Sequence, residues 1–195
     1  KGREPVLNSK TIFTPKKTTP LDGLISVPGA VKITEKNFVG KVNIRGNSDN
    51  ATFANAAKEV LGTSLPVIPN TVLQSSKYTV FWLGPDEWLI NSPEDTQAEL
   101  VAELQDAFEG QHSAVTDVTD YYVVIEIRGK QSRDILARGC PLDLHDRTFK
   151  TGRCAQSFFA NAPIMLHQVD DGAYDIQVRR TYAQSLWEYL NQSIR

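Results

Sequence analysis

The chain has 195 residues, 21 basic against 23 acidic, and 41% of it is hydrophobic, enough for one good core or two small halves sharing one. That charge balance gives no electrostatic reason to expect nucleic acid or an anionic membrane as partner. The longest apolar runs, such as Tyr121 to Ile125, are too short to span a bilayer, and two cysteines offer no disulfide framework, which favours a reducing compartment, the cytoplasm.

Residues 1–37 are rich in Lys, Thr and Pro, with no sustained apolar period. They read as an extended N-terminal arm, either a solvated tail or a strap that orders on a partner chain. The body spans 38–195. Its first half, about 38–110, opens with the strand pattern Val42-Asn43-Ile44-Arg45 and a turn at Gly46. A helix follows, with Asp49 as its expected cap and Phe53, Ala57, Val60 and Leu61 on one stripe, closed by Gly62. The prolines of Leu65 to Val72 keep that stretch extended. Lys77 to Gly84 and Glu87 to Asn91 flank Pro85-Asp86 as a hairpin. Ser92-Pro93-Glu94-Asp95 reads as a helix start, ahead of Leu100, Val101, Leu104, Ala107 and Phe108.

The second half, about 111–195, repeats this order. Tyr122 to Ile127 is a β-branched and aromatic strand ending at Arg128-Gly129. Ser132 is the expected cap of a shorter helix carrying Ile135 and Leu136 and stopping at Gly139. Strands follow at Ala155 to Ala160, Pro163 to Val169 and Ala173 to Arg179, then a terminal helix capped by Thr181. Aligning Arg45-Gly46 with Arg128-Gly129 also aligns Gly62 with Gly139 and Leu65 with Leu142, if the second helix is shortened. The predicted fold is therefore α+β, an internal duplication of two pseudo-symmetric β-α-β-β-β-α halves with mostly antiparallel sheet.

Chemistry-bearing patterns are sparse. Neither G-x-x-x-x-G-K-[ST] nor G-x-G-x-x-G occurs. A zinc site would have to gather Cys140, Cys154, His112, His145 and His167 from scattered positions, so no metal site is expected. Cys140 reads as a small buried hydrophobe, and Cys154, beside Arg153, as the first inward residue of a strand. Asp143, His145 and Asp146 put an imidazole near two carboxylates, a set more typical of a turn than of acid–base catalysis. No catalytic or cofactor-binding residue is assigned. Trp82 and Trp88, which straddle a hairpin, and Tyr121 and Phe158, each beside a second aromatic, are the candidate partner contacts, because alternation turns one member of such a pair away from the core.

Five stretches carry a resemblance: LPVIPNTV (65–72), WLGPDEWLI (82–90), DVTD (117–120), GCPLDLH (139–145) and GRCAQSFFA (152–160). Together, in this order, they resemble the gamma subunits of heterotetrameric sarcosine oxidases. The resemblance implies a fold like the folate-binding aminomethyltransferases and a chain that is inactive alone. It implies alpha as the main partner, beta as a second contact, and delta in the same complex. The complex would oxidise sarcosine to glycine with tetrahydrofolate and oxygen, giving methylene-tetrahydrofolate and hydrogen peroxide, with FAD, FMN, NAD and zinc in the other subunits. The alternative is a free-standing folate-binding or one-carbon transfer protein of the same superfamily. Against it, Thr151 to Ser157 departs from the Lys-Gly-Cys-aromatic-x-Gly-Gln motif of related iron–sulfur maturation proteins.

Overall fold

In the computed structural model, residues 16–194 are described; residues 1–15 of the predicted arm lie outside them. The elements run β1 (Lys32–Lys36), β2 (Gly40–Arg45), α1 (Ala51–Leu61), β3 (Val72–Gln74), β4 (Thr79–Gly84), β5 (Glu87–Ser92), α2 (Gln97–Ala107) and β6 (Ala114–Asp117). They continue with β7 (Tyr122–Arg128), α3 (Ser132–Ala137), β8 (Cys154–Phe159), β9 (Ala162–Asp170), β10 (Ala173–Arg179) and α4 (Ala183–Ile194).

The strands form two five-stranded antiparallel sheets, β3-β4-β5-β2-β6 and β8-β9-β10-β7-β1. Each buries one face under its own helices. Val42 and Ile44 on β2 meet Phe53, Ala57 and Leu61 of α1 and Leu100 and Leu104 of α2. Ile125 and Ile127 on β7 meet Leu136 of α3 and Leu186, Trp187 and Leu190 of α4. A smaller cluster of Phe81, Leu89, Cys154 and Met165 fills the space where the sheets face each other. The layers are thus helix, sheet, sheet, helix, because a sheet apolar on one side and mixed on the other covers the first with helices and the second with its twin.

The duplication predicted from the sequence is present, with one strand more per half. Residues 32–36, inside the stretch predicted as an arm, form β1, and residues 114–117 form β6. Each of these leading strands joins the other half's sheet: β1 pairs with β7, and β6 with β2. A sequential cut at 110/111 therefore divides both sheets. Neither strand carries the apolar alternation of a buried one: β1 is KITEK, and β6 is AVTD with no fully buried residue. Edge strands need only one hydrogen-bonded neighbour, so their composition is permissive.

Local signals shift by small steps. Asn50, rather than Asp49, caps α1, accepting from the Thr52 amide at 2.9 Å. Gly62 closes α1 in the left-handed region at φ 66°. A Cβ at Gly46 would collide with the Phe53 ring, so the turn after β2 packs flush on α1. The helix predicted from Ser92 begins later, at Gln97, and α4 starts after a 3-10 turn over Arg180–Tyr182.

Candidate functional site

Residues of β4 that alternate away from the helices are Phe81 and Leu83, and those of β5 include Leu89 and Asn91. On the second sheet the same side carries Met165 and His167 of β9, and Asp175, Gln177 and Arg179 of β10. The space between the sheets is therefore half polar. His167, 3% exposed, lies edge-on to Phe81 with ring centroids 5.2 Å apart, and burial pushes its pKa down to about 4, the Lys36 charge adding to the effect. The Cys154 thiol, 3.5 Å from the Thr71 carbonyl oxygen, is pushed up to about 11 by burial. Lys36 pairs with Asp175 at 2.7 Å and with Glu126 at 3.3 Å.

Toward one end the layer opens into two adjoining hollows of about 110 and 280 Å³ that share Leu83, Leu89, Tyr122 and Gln156. Gln156 bridges the halves, its Nε2 donating to the Leu83 carbonyl at 2.8 Å. Gln177 lines the smaller hollow, fully buried, with neither amide atom hydrogen-bonded among the described residues. Tyr121, 46% exposed, lines the larger one. Its ring stands edge-on to Tyr122 and under the Arg179 guanidinium at 5.2 Å. Phe158, 54% exposed, sits on the strand face of Gln156 and opposite Pro163, a wall of the slot. Of the four predicted contact residues, Tyr121 thus lines this cleft, and Phe158 is exposed outside its lining.

Trp82 and Trp88 do not join them. They are directly paired across the β4–β5 hairpin, so both project to the helix side of the sheet, and neither turns to the opposite face. Trp88 is fully buried and donates its indole N–H to the Pro66 carbonyl at 2.8 Å. Trp82 is half-buried. The one-residue slip beside this pair puts the two tryptophans in phase.

A further hollow, about 320 Å³, lies where the β1–β2 and β6–β7 connections cross between sheets. Lys41 lines it at 3% exposure, with its ammonium 2.7 Å from the Val39 carbonyl. Burial pushes Lys41 down to about 8 against the pull of Asp120, Glu35 and Asp117. Lys41 and Gln177 escaped the sequence reading. The signal was polarity inside a strand: Lys41 and Asn43 alternate with Val42 and Ile44 on β2, and Gln177 lies between Ile176 and Val178 on β10.

The other chemistry-bearing residues are engaged structurally. Asp143 accepts from the His145 amide and from Thr148, which holds its pKa below the usual carboxylate range, and Asp146 pairs with Arg133. This set fixes the loop between α3 and β8. Cys140 and Cys154 are both buried. His112 lies in the α2–β6 connection, His145 in the α3–β8 loop and His167 on β9, and among the described residues no group of three or more His, Cys, Asp and Glu is placed to hold a metal ion. No helix among the described residues is long and apolar enough to cross a membrane.

Against known proteins, the profile of the "Sarcosine oxidase, gamma subunit family" matches residues 45–194. The sarcosine oxidase subunit gamma of Corynebacterium sp. (strain P-1) is 33% identical over 166 residues, covering 85% of this chain and 80% of that one. Among solved structures, a chain of the heterotetrameric sarcosine oxidase from Corynebacterium sp. U-96, in complex with pyrrole 2-carboxylate, superposes with a TM-score of 0.83 at 26% identity. That match covers 91% of this chain and 94% of that one. The glycine cleavage system aminomethyltransferase T of Bartonella henselae shares the fold, with a TM-score of 0.63 at 12% identity over 83% of this chain and 45% of its own.

Proposed function

The chain belongs to the sarcosine oxidase gamma subunit family, and on that premise we propose that it is the non-catalytic gamma subunit of a cytoplasmic heterotetrameric sarcosine oxidase. In this reading it packs mainly against alpha, with beta as a second contact and delta in the same assembly. FAD, FMN, NAD and zinc reside in those other subunits. The assembly demethylates sarcosine to glycine, delivering the methyl carbon to tetrahydrofolate and electrons to oxygen, which leaves as hydrogen peroxide. The observation that carries the reading is the superposition on a chain of a heterotetrameric sarcosine oxidase along nearly the full length of both chains. Two further facts support a supporting rather than a catalytic role. The thiol and carboxylates with the best chemical credentials are spent on packing and on loop geometry. The exposed aromatic Tyr121 lines a cleft suited to a partner surface.

Co-expression with and without the companion subunits tests this. The purified chain alone should consume no sarcosine and release no peroxide, and assemblies lacking it should be less stable or incomplete. Sarcosine-dependent peroxide from the isolated chain would overturn the assignment.

A second reading, a folate-binding protein of the same superfamily, is favoured by the fold shared with an aminomethyltransferase and by the cleft between the sheets. The cleft's volume weighs against it, because its adjoining hollows of about 110 and 280 Å³ together reach only the small end of pockets that enclose drug-sized ligands. Calorimetry with reduced tetrahydrofolate separates the two readings: micromolar affinity on the isolated chain favours the second.

A further inference from the structure

Residues 17–19 form the outer wall of the hollow of about 320 Å³ that Lys41 lines. Lys17 and Thr18 are exposed, and Thr19 is half-buried. Among the described residues, no backbone-to-backbone hydrogen bond ties this stretch to the body; its one such bond is local, from the Asp22 amide to the Thr19 carbonyl at 3.3 Å. Contacts that each involve a side chain hold it instead. The Lys17 ammonium pairs with Glu94 at 2.6 Å and with Asp95 at 2.7 Å, and lies 4.5 Å from the centre of the Phe38 ring. The Thr18 carbonyl accepts from Arg180 at 3.0 Å, and the Thr19 hydroxyl donates to Glu35 at 2.7 Å. These contacts reach both halves, because Glu94 and Asp95 precede α2 and Arg180 follows β10. Just beyond them Leu21, 4% exposed, is fixed in the core of the second half, and the chain turns at Gly23 with φ 80°.

The two ends of this stretch are held with unequal strength. The side chains of Lys17, Glu94 and Asp95 are 47%, 51% and 73% exposed, and ion pairs open to solvent are weak and screened by salt. Leu21 can leave its place only by giving up buried apolar surface. A segment without backbone pairing or buried apolar contacts opens locally well before the fold as a whole. Beneath it the charged groups are short of water: burial pushes Lys41 down to about 8 and holds the Glu35 carboxyl above the usual carboxylate range. We propose that residues 17–19 are a hinged lid on this hollow, latched by Lys17 to Glu94 and Asp95 and pivoting at Leu21. Closed, the lid shields Lys41 and Glu35; lifted, it admits water and small solutes to them. It needs no companion chain, so the inference stands apart from the subunit reading.

A thiol placed under the lid reads its motion. Lys41→Cys removes a buried ammonium, a change the fold should accept, while Cys140 and Cys154, both buried, report unfolding in the same sample. In the full chain, the neutral reagent iodoacetamide should label the introduced thiol faster than Cys154. Raising sodium chloride from roughly 50 to roughly 500 mM should speed that labelling about two- to fivefold and leave Cys154 unchanged. Lys17→Gln should give the same gain, and salt should then add nothing further, because the same ion pairs are already lost. A chain that keeps Lys41 gives a second readout, independent of whether the thiol variant folds. Sparing acetylation, mapped by mass spectrometry, should modify Lys41 about two- to fivefold faster when Glu94→Gln and Asp95→Asn are combined than in wild type. Labelling of the introduced thiol at the Cys154 rate in every condition overturns the proposal, since the hollow then opens only by unfolding. Rapid labelling that neither salt nor Lys17→Gln alters overturns it too, because the hollow then has no latched cover. Unchanged acetylation of Lys41 in the double variant does the same.

Discussion

Phe81 and His167 occupy equivalent positions of the two halves and meet each other, ring edge to ring face, at 84°. The equivalence follows from register. Phe81 lies opposite Val72 and Leu89, and His167 lies opposite Cys154 and Asp175. Both hairpins slip by one residue at the corresponding place, beside Trp88 in the first half and beside Tyr174 in the second. The pseudo-twofold axis therefore runs between these rings and through the isolated bridge from Thr71 to Arg153. About that bridge the Val72 amide donates to the Gly152 carbonyl and the Cys154 amide to the Asn70 carbonyl, each at 3.0 Å. One duplicated strand edge pairs with its own copy.

A histidine at that contact makes stability depend on pH. His167 stays neutral in the fold down to about pH 4, whereas in the unfolded chain it takes up a proton near pH 6.5. The unfolded state then binds more protons, so this contribution is complete above about 6.5 and is lost as pH falls toward 4. The loss should reach on the order of 3 kcal/mol. Urea unfolding of wild type and His167→Phe across pH 7 to 4.5 measures it; the variant, with a phenylalanine on both sides of the axis, should show a shallower slope.

At the bridge, Asn70 and Gly152 both adopt positive φ, 61° and 78°. Asn tolerates that region and Gly occupies it freely, whereas a β-branched residue does not. Gly152→Val should therefore destabilise by about 1–2 kcal/mol, while Asn70→Gly should change stability by a few tenths. Midpoints of chemical unfolding distinguish the two, and an equal effect of both substitutions would contradict this account.

Lys41 should behave in the opposite pH range. Its pKa is about 8 in the fold against 10.5 ordinarily, so between those values the unfolded chain holds the extra proton and stability rises with pH. Lys41→Met should remove that rise and stabilise the isolated chain at neutral pH by on the order of 2 kcal/mol. Comparing the two proteins at pH 7 and pH 9.5 isolates the effect from other alkaline titrations. A destabilised variant at pH 7 would show that the ammonium is better compensated than its single contact to Val39 suggests.

The Cys154 thiol, buried and pushed up to about 11, should be unreactive in the native chain. At pH 8 a thiol reagent should label it only at the rate of unfolding, and at ordinary speed in denaturant. Fast native labelling would mean that the two sheets part readily at the Thr71–Arg153 bridge.

The paired tryptophans give a packing contrast. Trp88→Ala should cost about 3–5 kcal/mol, as for other large buried aromatics, with the Pro66 carbonyl left unpaired as well. Trp82→Ala, at a half-buried position on the same face, should cost clearly less. Thermal unfolding of both variants measures the difference.

By itself the sequence determined what depends on neighbours along the chain: the alternation of Val42 and Ile44, the stripe of Phe53, Ala57 and Leu61, the closing Gly62, and the repeat of this grammar from Tyr122 onward. These signals are local, because hydrophobic period and turn chemistry are written in adjacent residues. Only the tertiary structure decided that β1 and β6 change places between the sheets, that Trp82 and Trp88 share a face, and that Gln177 is sealed in without a partner. Edge strands are held by backbone hydrogen bonds that any side chain permits. The fate of a polar side chain on a strand depends on what lies about 10 Å away across the sheet interface, a distance that sequence order does not encode.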